Sequence, residues 1–281
     1  MVWVRAVGFL MNDPQRGHVA LHALRDVFSI PPSVDGIGIG SCVDGSVLLS
    51  KLPSVPDDSS LSRLVGPLKG RVAVLQLRDA SDLRPSVRSA NNLGPYRFRA
   101  FACAVIGGPQ TADEAMTLRE KLLADLPDFL RRSVRGQTEG EVFFYAVLAR
   151  LFSMGLLERG LVPPSAVVDA VLETRRAVGD DTPRHVALST GVELVQVSRG
   201  MPSALLTLKG LDLAAADDLD PTLTDSSLGR ERLRRFRAAL TLGGLDRPFD
   251  EATPVPSGVQ IRALSDDSQA VLGRDLEPHL L

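Results

Sequence analysis

Cysteine, histidine and the large aromatic residues are scarce in this chain: its 281 residues include two cysteines, four histidines, one tryptophan and two tyrosines. Two cysteines, Cys42 and Cys103, cannot form a disulfide framework, and no His or Cys spacing matches a zinc site, so no metal and no cofactor are expected. A basic surplus is missing too, since the formal net charge is −2 and the basic residues are overwhelmingly Arg. Nucleic-acid binding needs positive charge gathered on one face, and only Arg230 to Arg237 offers a candidate patch, which reads better as an exposed helix face. No uninterrupted apolar stretch approaches the ~20 residues of a membrane helix, and the N-terminus lacks a charged start followed by an apolar signal run. The expectation is a soluble chain in a reduced, cytoplasmic setting, with no nucleic-acid or membrane partner.

What is present is core-forming. An apolar content of 44% suffices for a large buried core. Val2 to Phe9 reads as a strand that ends in turn chemistry at Asn12-Asp-Pro14, and His18 to Ile30 as a helix. His18 and His22 lie one turn apart there, without the further ligands a metal would need. Asp35-Gly-Ile-Gly-Ile-Gly40 has alternate glycines but no helix behind it to supply amides to a phosphate. It reads instead as a strand whose small residues let another layer approach, turning at Asp44-Gly45 into Ser46 to Ser50. Pro53 to Gly70 is a polar connection with a short apolar piece around Leu61, Leu64 and Val65.

Two apolar runs, Val72 to Leu77 and Phe98 to Val105, read as buried strands bracketing a polar connection that ends in Asn92-Leu-Gly-Pro-Tyr96. Three helices follow: Thr111 to Leu130, with Asp113 and Glu114 in its first turn, Glu139 to Met154, and Ser165 to Val178 after Pro163-Pro164. Strands return at Val186 to Thr190 and Val192 to Ser198, a hairpin turning at Gly191. Leu211 to Leu228 reads as an acidic loop, and Phe236 to Leu240 and Val259 to Leu264 as further strands. Strands, then helices, then strands again are what a sheet-on-sheet core flanked by helices produces, and no linker splits residues 1–281, so one domain is expected.

The order of these pieces resembles the glutaminase domain of class II glutamine amidotransferases. The carrying motifs are Asp35-Gly-Ile-Gly-Ile-Gly40, with Ile37 where the family usually has Trp; Arg78 after the Val72 strand; Asn92-Leu-Gly-Pro95; Thr138-Glu-Gly-Glu141; and the late Leu188-Ser-Thr-Gly191 hairpin. The resemblance implies an α+β fold, a four-layer αββα sandwich of the N-terminal-nucleophile (Ntn) hydrolase type. It also implies an active site, and there the sequence departs from the family. Setting Gly8-Phe9 on the family's Gly-aromatic pair puts Val4 at the position of the N-terminal Cys nucleophile, with Arg5 as the Arg that commonly follows. Ala104 and Val105 stand where Asn and Gly supply the oxyanion hole, and losing one such donor lowers the rate by ~10²–10³.

Positions that hold substrate are partly kept. The resemblance gives Arg78 the glutamine carboxylate, Asn92 a place in the Asn-x-His-Pro turn with Gly94 in place of His, and Glu139 the site of the Asp that holds the substrate's amino group. Each has a purely structural counterpart: Arg78 in a salt bridge with Asp79 or Asp82, Asn92 in an ordinary turn, and Thr138 with Glu141 as a capping box. The leading expectation is a catalytically degenerate amidotransferase-like protein with a binding, regulatory or subunit role. It would hold a glutamine-like small molecule near Arg78 and work with a protein partner or a second copy of itself. The alternatives are a hydrolase with a displaced nucleophile, from Cys42, Cys103, Ser41 or Ser81, and an interaction module whose pocket Val4 and Val105 have filled.

Overall fold

The computed structural model describes residues 2–54, 70–79, 89–109, 111–159, 161–179, 183–250, 253 and 255–280. In chain order the strands of the first half are β1 (Val2–Trp3), β2 (Ala6–Met11), β3 (Phe28–Ser29), β4 (Val34–Val43), β5 (Ser46–Leu52), β6 (Val72–Asp79), β7 (Tyr96–Phe98) and β8 (Phe101–Ile106). The second half adds β9 (His185–Ser189), β10 (Leu194–Ser198), β11 (Ser203–Lys209), β12 (Arg237–Gly243), β13 (Val259–Leu264), β14 (Ser268–Leu272) and β15 (Pro278–Leu280). Helices are α1 (Gly17–Ala23), α2 (Ala112–Ala124), α3 (Asp128–Arg131), α4 (Glu139–Ser153), α5 (Pro164–Val178), α6 (Leu213–Leu219) and α7 (Ser227–Arg234).

Two antiparallel sheets form the middle. One runs β13-β11-β12-β2-β6-β4-β5 and the other β15-β14-β10-β9-β8-β7. Strand alternation sorts the side chains into three cores. Along β2, Val7, Phe9 and Met11 point outward into a core shared with α1, α6 and α7, while Ala6 and Leu10 point inward to the second sheet. Across that inner layer Ala102, Ala104 and Ala187 meet them, and the second sheet's far side packs Cys103, Val105 and Leu188 against Phe143, Phe144 and Val147 of α4. Helices, sheet, sheet, helices is the αββα sandwich expected from the sequence.

The inner layer is thin because it is built from small residues. A Cβ on Gly40 would sit 3.3 Å from both Ala102 and Pro95, and one on Gly38 would run into the Gly94 carbonyl. The alternate glycines of β4 therefore admit another layer, as the sequence reading held, and cradle no phosphate. The turn Asp44-Gly45 has positive φ at both residues, 49° and 75°, the geometry of a two-residue hairpin.

Several boundaries fall elsewhere than expected. The first strand is broken at Val4 and Arg5, and the predicted helix to Ile30 stops at Ala23, leaving Phe28–Ser29 to pair in parallel with β1. Phe98 to Val105 is not one strand but the end of β7 and most of β8, turning through Arg99 at φ 51°. Helix α2 ends before Pro127, which sits at the N-cap of α3. The acidic stretch read as a loop holds α6 and the start of α7, where Asp212 and Ser226 cap the helix amides. The arginines of α7 are exposed around a buried Leu233, the helix face that was expected. The connection around Leu61, Leu64 and Val65 lies outside the described residues.

His185 is fully buried on β9, and its Nδ1 lies 2.9 Å from Ser198 Oγ. A Cβ on Gly243 of the facing sheet would strike its ring. Burial, with help from the Arg175 charge, drives its pKa from 6.5 down to about 3. The unfolded chain then binds a proton that the folded chain refuses, so stability should fall as pH drops below 6.5, by up to ~1.4 kcal/mol per pH unit. Urea unfolding between pH 6.5 and 5 checks this, and His185→Gln should remove one proton's worth of the slope. The glycine seat of β4 makes a second prediction: Gly38→Ala should destabilise by ~1–3 kcal/mol or more, because the obstruction is backbone rather than a flexible side chain.

Candidate functional site

A cavity of about 990 Å³ opens where the two sheets and the N-terminal ends of α2 and α4 converge. Arg78, Asn92 and Glu139, the three predicted ligand-holding residues, all line it, though they come from β6, a 3₁₀ turn and the first residue of α4.

Arg78 is 8% exposed and heavily seated. Its Nε donates to Asp35 Oδ1 at 2.8 Å and its Nη2 to the Pro53 carbonyl at 2.8 Å. Asp35 is the residue left over where the β4–β6 register shifts between Val34 and Gly36, and that irregularity brings its carboxylate to the arginine. Gly36, whose Cβ would lie 3.1 Å from Nη2, lets the guanidinium rest on bare backbone. The salt bridge is therefore with Asp35. Asp82 and the side chain of Asp79, the partners expected from sequence, lie outside the described residues. Nη1 remains buried without a partner among the described residues.

Asn92 spends its Oδ1 on the backbone, accepting from the Gln137 amide at 2.6 Å and so fixing the loop that leads into α4. The expected capping box of Thr138 and Glu141 does not form. Thr138 makes no side-chain cap bond, and its hydroxyl lies 2.9 Å from the Tyr96 hydroxyl. Glu141 turns back to accept from the amides of Arg135 at 2.9 Å and Gly136 at 2.6 Å. Burial raises the Glu141 pKa, and those two amides oppose the shift. Lys51, its ammonium 5.6 Å from the Tyr96 ring centre, is pushed down to about 8 by burial, with Glu141 opposing. A true capping box occurs instead at Thr111 and Glu114, at the start of α2.

The positions that the sequence resemblance sets at the nucleophile and the oxyanion hole sort differently. Val4 is 0% exposed and belongs to the outer core with α1, its amide bonded to the Ser29 carbonyl at 3.1 Å. The bend at residues 4 and 5 breaks the alternation, so Arg5 rather than Val4 lines the cavity. Ala104 lies in the inter-sheet core. Val105 lines the cavity but does not fill it, and its backbone is already engaged: its amide donates to Gln76 Oε1 at 3.0 Å and its carbonyl accepts from Gln76 Nε2 at 2.8 Å. Strand β7 begins only at Tyr96, opposite Cys103, so Val105 has no strand neighbour on that side, and a side chain from the other sheet supplies both bonds. Gln76 can lie there because residue 94 is Gly, whose Cβ would collide with the Gln76 amide.

Sequence reasoning passed over Gln76. Its signal was a single polar residue inside the apolar run Val72-Ala-Val-Leu-Gln-Leu77.

Of the displaced-nucleophile candidates, Cys42, Cys103 and Ser41 do not line the cavity. Cys103 is 0% exposed in the core beneath α4, and burial pushes its thiol pKa far up, which disfavours the thiolate. Cys42 is half-buried with its pKa also raised by burial, and Ser41 is buried in β4; neither lines the cavity. Ser81 lies outside the described residues. His22 pairs with Asp218 at 3.1 Å, and among the described residues no three His, Cys, Asp or Glu side chains are grouped to hold a metal ion. No helix among them is long and apolar enough to cross a membrane.

No family model and no curated protein matches the sequence. Solved structures do. A protein described as a glutamine aminotransferase class-II domain protein from Silicibacter pomeroyi superposes with a TM-score of 0.53 at 14% identity, over 99% of this chain and 98% of its own. The glutamine phosphoribosylpyrophosphate amidotransferase of B. subtilis gives 0.52 at 12% identity, and a structure described as the allosteric regulatory enzyme of purine biosynthesis gives 0.54 at 12%. The fold is that of the class II glutamine amidotransferases. The match takes in 98% of this chain but only 48% of each of the latter two proteins, so the chain spans about half their length.

On this fold, the Gln76 bonds to Val105 occupy the amide of the position that the motif resemblance would set at the oxyanion hole. Gln76→Met keeps the length and removes both bonds, orphaning a buried N–H and C=O. It should cost ~1–3 kcal/mol in urea unfolding, and a change within 0.5 kcal/mol would count against the assignment.

Proposed function

We propose that this chain uses the amidotransferase-like fold to bind a small molecule and does not hydrolyse glutamine. Residues 1–281 act in this reading as one domain, in a regulatory or subunit role beside a protein partner or a second copy of the chain. The ligand is of glutamine's kind: a carboxylate met by Arg78 and an amino group met by Glu139, with Asn92 holding the loop between them.

The observation that carries the reading is the engaged Val105 amide. A donor already bonded to a side chain must break that bond before it can stabilise a tetrahedral oxygen, so the stabilisation it offers in the transition state is largely cancelled. Among the described residues the cavity also lacks a nucleophile with a base. Their lining has the hydroxyls of Thr111, Thr138 and Tyr96 and no Cys or His, and the Thr138 and Tyr96 hydroxyls already meet each other. The open volume of about 990 Å³ speaks against the filled-pocket alternative, and the burial of Cys103 against the displaced-nucleophile one.

The test is ammonia release from L-glutamine by the purified chain, its N-terminus established by mass. We expect no release above background. Turnover abolished by one point substitution would overturn the reading and direct attention to an unorthodox nucleophile.

A further inference from the structure

The approach to α4 is held at successive residues by different elements. Arg119 of α2 donates its Nη2 to the Gly136 carbonyl at 3.2 Å, Asn92 Oδ1 accepts from the Gln137 amide at 2.6 Å, and the Tyr96 hydroxyl of β7 lies 2.9 Å from that of Thr138. Gly136 lies against the turn at Asn91 and Asn92, where a Cβ would come within 2.5 Å of the Asn91 carbonyl. A further hold comes from the helix itself. Glu141, 4% exposed in the first turn of α4, reaches back and accepts from the Arg135 amide with Oε1 at 2.9 Å and from the Gly136 amide with Oε2 at 2.6 Å.

A carboxylate suits this task and a neutral carboxyl does not. Ionised, it offers an acceptor to each of the two N–H groups; protonated, one of its oxygens turns a proton toward a donor. The start of a fifteen-residue helix favours the charge. Lys51 of β5 and Arg119 of α2 favour it too, and the Tyr96 and Tyr145 hydroxyls feel the same carboxylate, with Glu139 acting on Tyr96 and the Arg97 and Arg135 charges on Tyr145. Burial outweighs these neighbours and raises the Glu141 pKa above its ordinary 4.5.

Glu141 does not line the cavity, whereas Gln137, Thr138, Glu139 and Gly140 do. We propose that Glu141 is a positioning residue for this cavity: its ionised carboxylate fixes the loop at residues 135–137 and so the place of Glu139, which meets the ligand's amino group in the reading above. This deepens that binding role and rests on it. The hold is acid-sensitive. As pH falls through the raised carboxyl value, Glu141 takes up a proton, one of its two amides loses its acceptor, and the loop loosens at Arg135 and Gly136.

The test follows hydrogen exchange of the full chain, residue by residue, relative to the intrinsic rate at each pH. At about pH 7.5 the Arg135 and Gly136 amides should be protected at least about tenfold more in the native chain than in Glu141→Gln, whose carboxamide turns a donor toward one of them. Lowering the pH to about 4.5 should bring the native chain toward the variant, and Glu139→Gln, which keeps Glu141, should show the same fall. Unchanged protection inside α5 reports that each variant is folded. If Glu141→Gln does not fold, Glu141→Asp, which keeps the charge, should retain the acid dependence. L-Glutamine titrated by calorimetry at about pH 7.5 is the second readout, and its Kd should rise at least about tenfold in Glu141→Gln. Protection at 135 and 136 that is equal in the native chain and Glu141→Gln, or independent of pH, would overturn the inference. So would L-glutamine bound equally by the two, because the loop would then have no bearing on the site. If the native chain binds no L-glutamine, the proposed ligand class falls, and Glu141 as holder of the loop stands or falls on exchange alone.

Discussion

Gln76 leaves one sheet and completes the hydrogen bonding of the other. Strand β7 begins only at Tyr96, opposite Cys103, so the N–H and C=O of Val105 would otherwise face the cavity edge without a strand neighbour. Two unmet buried groups would cost several kcal/mol together, more than one polar contact usually contributes. The amide of Gln76, with one donor and one acceptor in a fixed plane, mimics the missing strand. The residues around it follow from that. Position 94 can carry no Cβ because Gln76 lies there, and position 38 can carry none because the Gly94 carbonyl lies there. Through this chain of close approaches the spacing of the two sheets, the path of the Asn92-to-Tyr96 turn and the floor of the cavity are set together.

The same closure bears on chemistry. An oxyanion hole works when donors wait unpaired at the place where charge will develop, and the environment holds them there at no reorganisation cost. The Val105 amide is not waiting. In the proposed reading, a branched side chain at 105 and a valine folded into the outer core at position 4 would each remove a further requirement for amide hydrolysis, independently of one another. None of these changes touches the seats of Arg78 or Asn92, which rest on Asp35, Gly36, Pro53 and the Gln137 amide. The residues proposed to hold a ligand and the positions that the resemblance assigns to bond breaking therefore stand on different neighbours, and in that reading one set could be lost with the other intact.

Much of the fold was readable where local chemistry dictates it. Asp44-Gly45 gave its hairpin because both residues accept positive φ, and the helices from Glu139 and Pro164 followed from long apolar periodicity and a proline at the start. Harder to see was whatever depends on a single bend. Alternation along the first strand puts Val4 toward the inter-sheet space, and the kink at Arg5 reverses it. The turn at Arg99 uses a non-glycine residue at positive φ, which no residue type announces, so two strands read as one. Short helices of acidic residues between Leu211 and Leu228 have too little apolar repeat to show.

The cavity itself was half legible, and the missing half is a matter of chain topology rather than of residue type. Arg78, Asn92 and Glu139 could be singled out because each sits in a local motif, and Arg5 reads only as the residue after the nucleophile position, whereas Arg119 and Arg184 belong to no motif; the four lining arginines span 179 positions, from 5 to 184. What joins them is the layering: β2 runs in one sheet, β8 and β9 in the other, and α2 leaves from the end of β8, so the strand ends and the helix start open on one space. Gathering like charges there is unfavourable for the empty protein, by an amount that grows as the surrounding dielectric falls. Acidic groups near such a cluster offset that cost, as Asp35 does at Arg78, so the seat of each arginine depends on neighbours that the layering, and no local motif, brings to it.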